Sequence, residues 1–256
     1  MTRRGLLLAL EIAVPLILLA MYAAWAGAKE SFYFPPLDGI GERFVELWLS
    51  DRFVQDALPS LRRLAIGYVL LVVLGVSIGL VLGAFRLVQQ AVQPFAEFLR
   101  ALPAVALIPF GMLVFGVGDT MKIFIIVIGA IWPVLLNTID GVRGVDPEML
   151  EMARAYNVGR WGRIREIVVP AALPRVVTGM RTSLSIAIIL MVVSEMVASR
   201  NGLGYFVLES QRRFAISDMW AGIVLLGIIG YVANFLFVRA ERSVLRWHRE
   251  SKGPAR

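Results

Sequence analysis

Six predominantly apolar runs, at 5–25, 64–85, 101–118, 123–139, 182–199 and 219–238, constrain this chain more than any other feature. Each has about the 17–25 residues that cross a hydrocarbon core. Lipid offers no partners to backbone N–H and C=O groups, so such runs must be helices or strands of a closed barrel. Their length and continuous apolarity favour helices. Mean hydropathy is +0.74, and only 18% of the 256 residues are charged, too few to cover a soluble domain of that size. The expected fold is an all-α membrane protein, with six transmembrane helices forming one domain over 1–256.

The excess of 26 Lys and Arg over 19 Asp and Glu could suggest nucleic acid, but the placement of the cations argues otherwise. With the N-terminus in the cytoplasm, 17 of the 26 fall in cytoplasmic segments and 9 in outer ones. That bias orients membrane proteins, and it puts both termini and the segment 140–181 inside. The charge is therefore a topology signal rather than a nucleic-acid footprint. The start, Arg3-Arg4 followed by an apolar run and Ala26-Gly27-Ala28, has the outline of a cleavable signal. The length of the run and Glu11 in its middle favour a retained helix.

The chain has no cysteine, which excludes disulfides and thiolate metal sites. It has no Gly-x4-Gly-Lys-Ser/Thr phosphate loop, and its single histidine, His248, sits in a basic tail where a solvated role is expected. No metal-spaced cluster or nucleophile–base pair stands out, so an enzyme working alone fits poorly. If transport here consumes ATP, another polypeptide hydrolyses it. Within the second run Gly75, Gly79 and Gly83 recur every four residues, with Gly67 two steps earlier, making a face that another backbone can approach. Packing inside one subunit is the simplest use of that face; a dimer seam or pore wall is the other.

The stretch 140–181 is polar and rich in arginine. Asp146-Pro147-Glu148 is a helix start, with a capping carboxylate, proline at the first helical position and acid at the positive end of the dipole. That helix should run to about Tyr156 and end at Asn157 or Gly159, residues that accept left-handed backbone. A second short helix from Arg160 should stop at Pro170 and Pro174. Met152, Ala153, Ala155 and Tyr156 can pack into a protein cleft while Glu151 and Arg154 offer charged contacts. The residues alone fit an amphipathic helix on the membrane surface equally well.

The stretch resembles the EAA loop of ABC importer permeases, Glu-Ala-Ala-x3-Gly-x9-Ile-x-Leu-Pro. Glu151, Ala153, Ile167 and Pro170 match in register, whereas Met152, Asn157 and Val169 replace an alanine, the glycine and the leucine. The segments 104–109, 115–118, 133–143, 194–195 and 202–205 are similar to the taurine, sulfonate and nitrate branch of that family. The resemblance implies a type I importer permease fold in the bacterial inner membrane, with Glu151, Met152, Ala153, Arg154, Ala155, Tyr156 and Asn157 as a coupling helix. Gly159 to Ile167 and Pro170 would return force to the fifth span. It implies as partners a second permease subunit, expected to be identical, two ABC ATPase subunits and a periplasmic or lipid-anchored substrate-binding protein. No cofactor is expected in this chain, and ATP and Mg would sit on the ATPase. A small anion (sulfonate, taurine or nitrate) is the expected substrate, with an aromatic acid or a pyrimidine vitamin precursor as alternatives and an ATPase-independent secondary carrier as a different class.

Polar residues at membrane depth are costly and mark functional candidates. Glu195 and Ser194, near the outer end of the fifth span, are candidates for the gate; bonding a loop amide or Arg200 is the structural alternative for Glu195. Asn137 and Thr138 are candidates for the inner vestibule.

Overall fold

In the computed structural model, which describes residues 3–29 and 31–247 and the side chains of 13–28 and 31–247, the central element is α6 (Asp119–Arg143). It is clamped between α3 (Leu58–Ala84) and α9 (Val169–Ala198). His248 lies outside the described residues.

Small residues allow that clamp. Added side-chain carbons at Gly67, Gly75, Gly79 and Gly83 of α3 would come within 2.6–3.0 Å of Ile126, Val134, Thr138 and Val142 of α6. On the other side Gly179 of α9 sits against Pro133 and Asn137, and Gly141 of α6 against Ala172. The regular glycine spacing therefore serves packing within one chain. The core between these helices holds Leu71, Ile125, Ile126, Val134, Ala187 and Met191, all fully buried. Burying each large aliphatic side chain against another helix contributes dispersion contacts that lipid tails match only in part.

The remaining elements are α1 (Arg3–Lys29), α2 (Leu37–Trp48), α4 (Arg86–Ala101), α5 (Ile108–Phe115), α7 (Pro147–Ala155), α8 (Arg160–Arg163), α10 (Leu203–Arg212) and α11 (Ile216–Val244). All described elements are helical. Among the described residues four stretches are long and apolar enough to cross a membrane, Phe53–Ala84, Asp119–Arg143, Arg160–Ala198 and Ile216–Val244, and the bent pair Arg86–Ala101 with Ala104–Phe115 would make a fifth. They contain the second, fourth, fifth and sixth apolar runs.

Two sequence expectations need correction. The run 101–118 does not form a spanning helix by itself: its helical part, Ala104–Phe115, is short and meets α4 at 89°. Pro103 is extended (ψ 117°) and breaks the helix there, as proline disfavours helix for its neighbours. Pro170 and Pro174 do not stop the fifth helix. A π-turn at Ile164–Val168 precedes Pro170, which occupies the first turn of α9, and Pro174 is absorbed inside the helix. A wide turn removes the clash a proline ring makes with the preceding carbonyl, so helix continues from Arg160 to Ala198. The same device, a π-turn at Phe53–Ala57, precedes Pro59 in α3.

α2 is tied to the start of α11. Arg43 pairs with Asp218, and the Trp48 indole donates to the Ala221 carbonyl (3.1 Å). Aromatic rings from α1 (Tyr22, Trp25), the following turn (Phe34) and α11 (Trp220) pack together at this end, as interfacial aromatics do.

Candidate functional site

The loop between α6 and α9 is built as its residues require. The Asp146 carboxylate accepts from the Glu148 amide (2.9 Å) and Pro147 opens α7, so two helix-starting groups that would otherwise be orphaned are accounted for. At the other end Asn157 takes φ 55°. Its amide donates to the Arg154 carbonyl (3.0 Å), and the Val158 amide donates to Ala153 (2.9 Å), closing the helix with two bonds. Asparagine thus supplies the left-handed turn at the position where the EAA pattern that this loop resembles has glycine. Gly159 does not make that turn: it is extended (φ −61°, ψ 162°) and leads into α8.

Of the loop residues named from sequence, only Ala153 is buried; Glu151, Met152, Arg154, Ala155, Tyr156, Asn157 and Gly159 are exposed, and Ile167 and Pro170 half-buried. Met152 is 60% exposed and Tyr156 79%. Trp161 in α8, which the sequence reading passed over, is 82% exposed. Its signal was a lone tryptophan in an arginine-rich segment, where no buried face explains a large aromatic. Phe85 at the α3–α4 corner shares a hollow of about 270 Å³ with Leu150 and Ile164, rimmed by Arg154, Arg160 and Arg163. The surface therefore combines apolar knobs with cations and the acids Glu148, Glu151 and Glu166.

The far end of the bundle holds the other sequence candidates. Glu195 is 0% exposed. One carboxylate oxygen accepts from Arg63 (2.8 Å), the other from the Gly204 amide (3.1 Å), and the Ser60 hydroxyl lies 2.8 and 2.9 Å from the two. Ser60 in turn accepts from the Leu203 amide (2.8 Å), and Asp56 accepts from the Gly202 amide (3.0 Å). Arg63 also donates to Asp119 (2.7 Å) and to the Asn201 side chain (2.6 Å). Glu195 thus bonds an amide in the first turn of α10 rather than one in a loop, and its cation is Arg63 rather than Arg200. Ser194 is buried and bonds its own helix at Met191.

Asn137 and Thr138 stand apart from this cluster and face different helices. Asn137 is half-buried against α9 and donates to the Pro133 carbonyl (2.8 Å). Thr138 faces α3 at Gly79, is 0% exposed and bonds Val134 (2.7 Å), so it lines no vestibule within this chain. The sequence reading also missed a polar face on α4. Gln89, Gln93, Glu97 and Arg100 recur at helical spacing and line a cavity of about 180 Å³ with Trp132. That periodicity was visible in the sequence but lay in a stretch taken for a connection.

Comparison with known proteins gives these features a context. The family described as binding-protein-dependent transport system inner membrane component matches residues 71–247, which include α7 and Glu195. A putative aliphatic sulfonates transport permease protein of Bacillus subtilis (strain 168) is 33% identical over 210 residues, 82% of this chain and 76% of the relative. A bicarbonate transport system permease protein of Synechococcus elongatus is 28% identical over 219 residues, 85% of this chain and 76% of the relative. Among solved structures, the inward-facing MetNI methionine ABC transporter superposes with a TM-score of 0.63 at 22% identity, over 74% of this chain and 94% of that one, a likeness of fold. The chain belongs to the binding-protein-dependent transport system inner membrane components: it is the multi-span permease subunit of an ABC importer, with ATP hydrolysis assigned to a separate subunit.

Proposed function

We propose that two copies of this chain form the pathway for a small anion, sulfonate-like first, and that Glu151–Asn157 is the helix by which each copy engages an ATPase subunit. Both termini and the α6–α9 loop then lie in the cytoplasm, in keeping with the arginine bias. The observation that carries the docking assignment is the exposure of Met152 and Tyr156 on the short capped helix that bears Glu151, with Trp161 exposed in the next helix, α8. Exposed aromatic and methionine side chains beside a charge are the composition of a protein contact. The substrate class rests on the 33% identity to the sulfonate permease.

Alternating access follows from how the elements are joined. ATP closes the ATPase dimer and draws the two α7 helices together. The helix from Arg160 to Ala198 is unbroken, so a displacement at its loop end is transmitted along its length. The close packing of α6 between α3 and α9 makes the three move as one body. Glu151→Lys tests the docking. Charge reversal at a contact costs several kcal/mol, so co-purification with the ATPase and ATP-driven uptake of an alkylsulfonate into proteoliposomes should both be lost. Retention of both ends the coupling assignment. The bicarbonate relative favours an inorganic anion as the second reading, and competition of bicarbonate and nitrate against alkylsulfonate uptake decides between them.

A further inference from the structure

At the end of the bundle remote from α7, a cavity of about 390 Å³ opens between the starts of α3 and α6 and the segment after α9. Its lining includes Arg62, Arg63, Lys122, Arg200, Asn201 and Asp119. Arg62 and Arg63 pair with Asp119, and Arg63 also takes Glu195, so both nearby carboxylates are already engaged. Lys122 is 3% exposed, and no carboxylate of the described residues lies within ion-pair distance of it. Its ammonium makes one hydrogen bond, to the Gly118 carbonyl (3.2 Å), although it carries three donors. Arg200 stands on the exposed rim, with no ion pair among the described residues. Four cations thus line the cavity, with Asp119 as the lining carboxylate and Glu195 behind Arg63. The start of α6, which no side chain caps, adds the positive end of a 25-residue helix.

The Lys122 ammonium feels Asp119 and Glu195 only at a distance and shares both with Arg63. A buried ammonium so partly compensated is expensive, and a surplus of cations around a small cavity is stabilised by an anion. The volume suits a small oxyanion and a short organic tail. We propose that this cavity is a receiving site for the anionic head of a small oxyanion, with Lys122 as its buried ligand and Arg200 as its outer one. The site rests on the small-anion reading above and locates where the anion meets the permease at the end opposite the coupling loop.

The test uses the permease–ATPase complex in phosphatidylcholine nanodiscs, titrated calorimetrically with ethanesulfonate and with nitrate. Lys122→Met should weaken anion binding by about tenfold or more, the scale of one buried charged hydrogen bond. Arg200→Gln, on the exposed rim where it disturbs no packing, should weaken it by a few-fold, roughly the scale of a partly exposed charge pair. Co-purification of the ATPase reports whether each variant folds. Unchanged affinity in both variants overturns the site. So does a wild-type complex that binds neither anion, including one whose cavity instead retains an anionic lipid phosphate. Loss of ATP-driven sulfonate uptake alongside Lys122-dependent anion binding would sink the transport reading and leave the site standing.

Discussion

Asn157 holds φ 55° in the turn that ends α7, and that value ranks its substitutions. Left-handed backbone costs roughly 1–2 kcal/mol for most L-residues, less for asparagine and nothing for glycine. Asn157→Gly should therefore leave thermal unfolding unchanged or slightly later, whereas Asn157→Val should destabilise the loop by about 1–2 kcal/mol. Proteolysis confined to 144–160 would read this out, and an unaffected Asn157→Val would mean the turn forms differently. Gly202 is another positive-φ position, at φ 117°, with an added carbon only 2.5 Å from the Glu195 carboxyl. The residue type at 157 announced its turn. At 202 the glycine was visible in the sequence, but the carboxylate pressing against it was not.

Among the elements, the contact of α3 with α6 is the most sensitive to volume. A carbon added at Gly79 would stand 2.6 Å from Thr138 and 3.0 Å from the Leu135 carbonyl. Backbone cannot yield there, so Gly79→Leu should cost about 1–3 kcal/mol or more by overpacking. Gly227 in α11 has nothing within 4 Å, and Gly227→Leu should leave the fold of the subunit intact. Unfolding in mixed micelles separates the pair; equal behaviour would mean the helices do not meet as described. The four-residue spacing made the face of α3 legible, but only the structure named α6 as its neighbour. Proline was the less reliable guide. Pro103 ends a helix, while Pro170 follows a π-turn that accommodates it, and nothing in the local sequence distinguishes the two outcomes.

Across the whole molecule, the network around Arg63 and Glu195 joins α3, α6, α9, the segment 201–204 and the turn at Asp56. Removing one member leaves a buried charge without its counter-ion, at about 3–5 kcal/mol. Arg63→Leu and Glu195→Leu should each destabilise by that order, and the double variant by much less than their sum. Additive losses in thermal unfolding would show that the two side chains are not paired. The sequence by itself determined that the chain lives in lipid as helices, because long apolar runs leave backbone groups no other partner. It also determined the capped helix of the α6–α9 loop, since caps and left-handed turns depend on residues within one turn of each other. Tertiary structure decided the rest: the break at Pro103, the neighbour of each glycine, and the partners of Glu195 and Lys122. Arg63 lies 56 residues from Asp119 and 132 from Glu195. No local pattern encodes such a pairing, which exists only once packed helices bring their ends together.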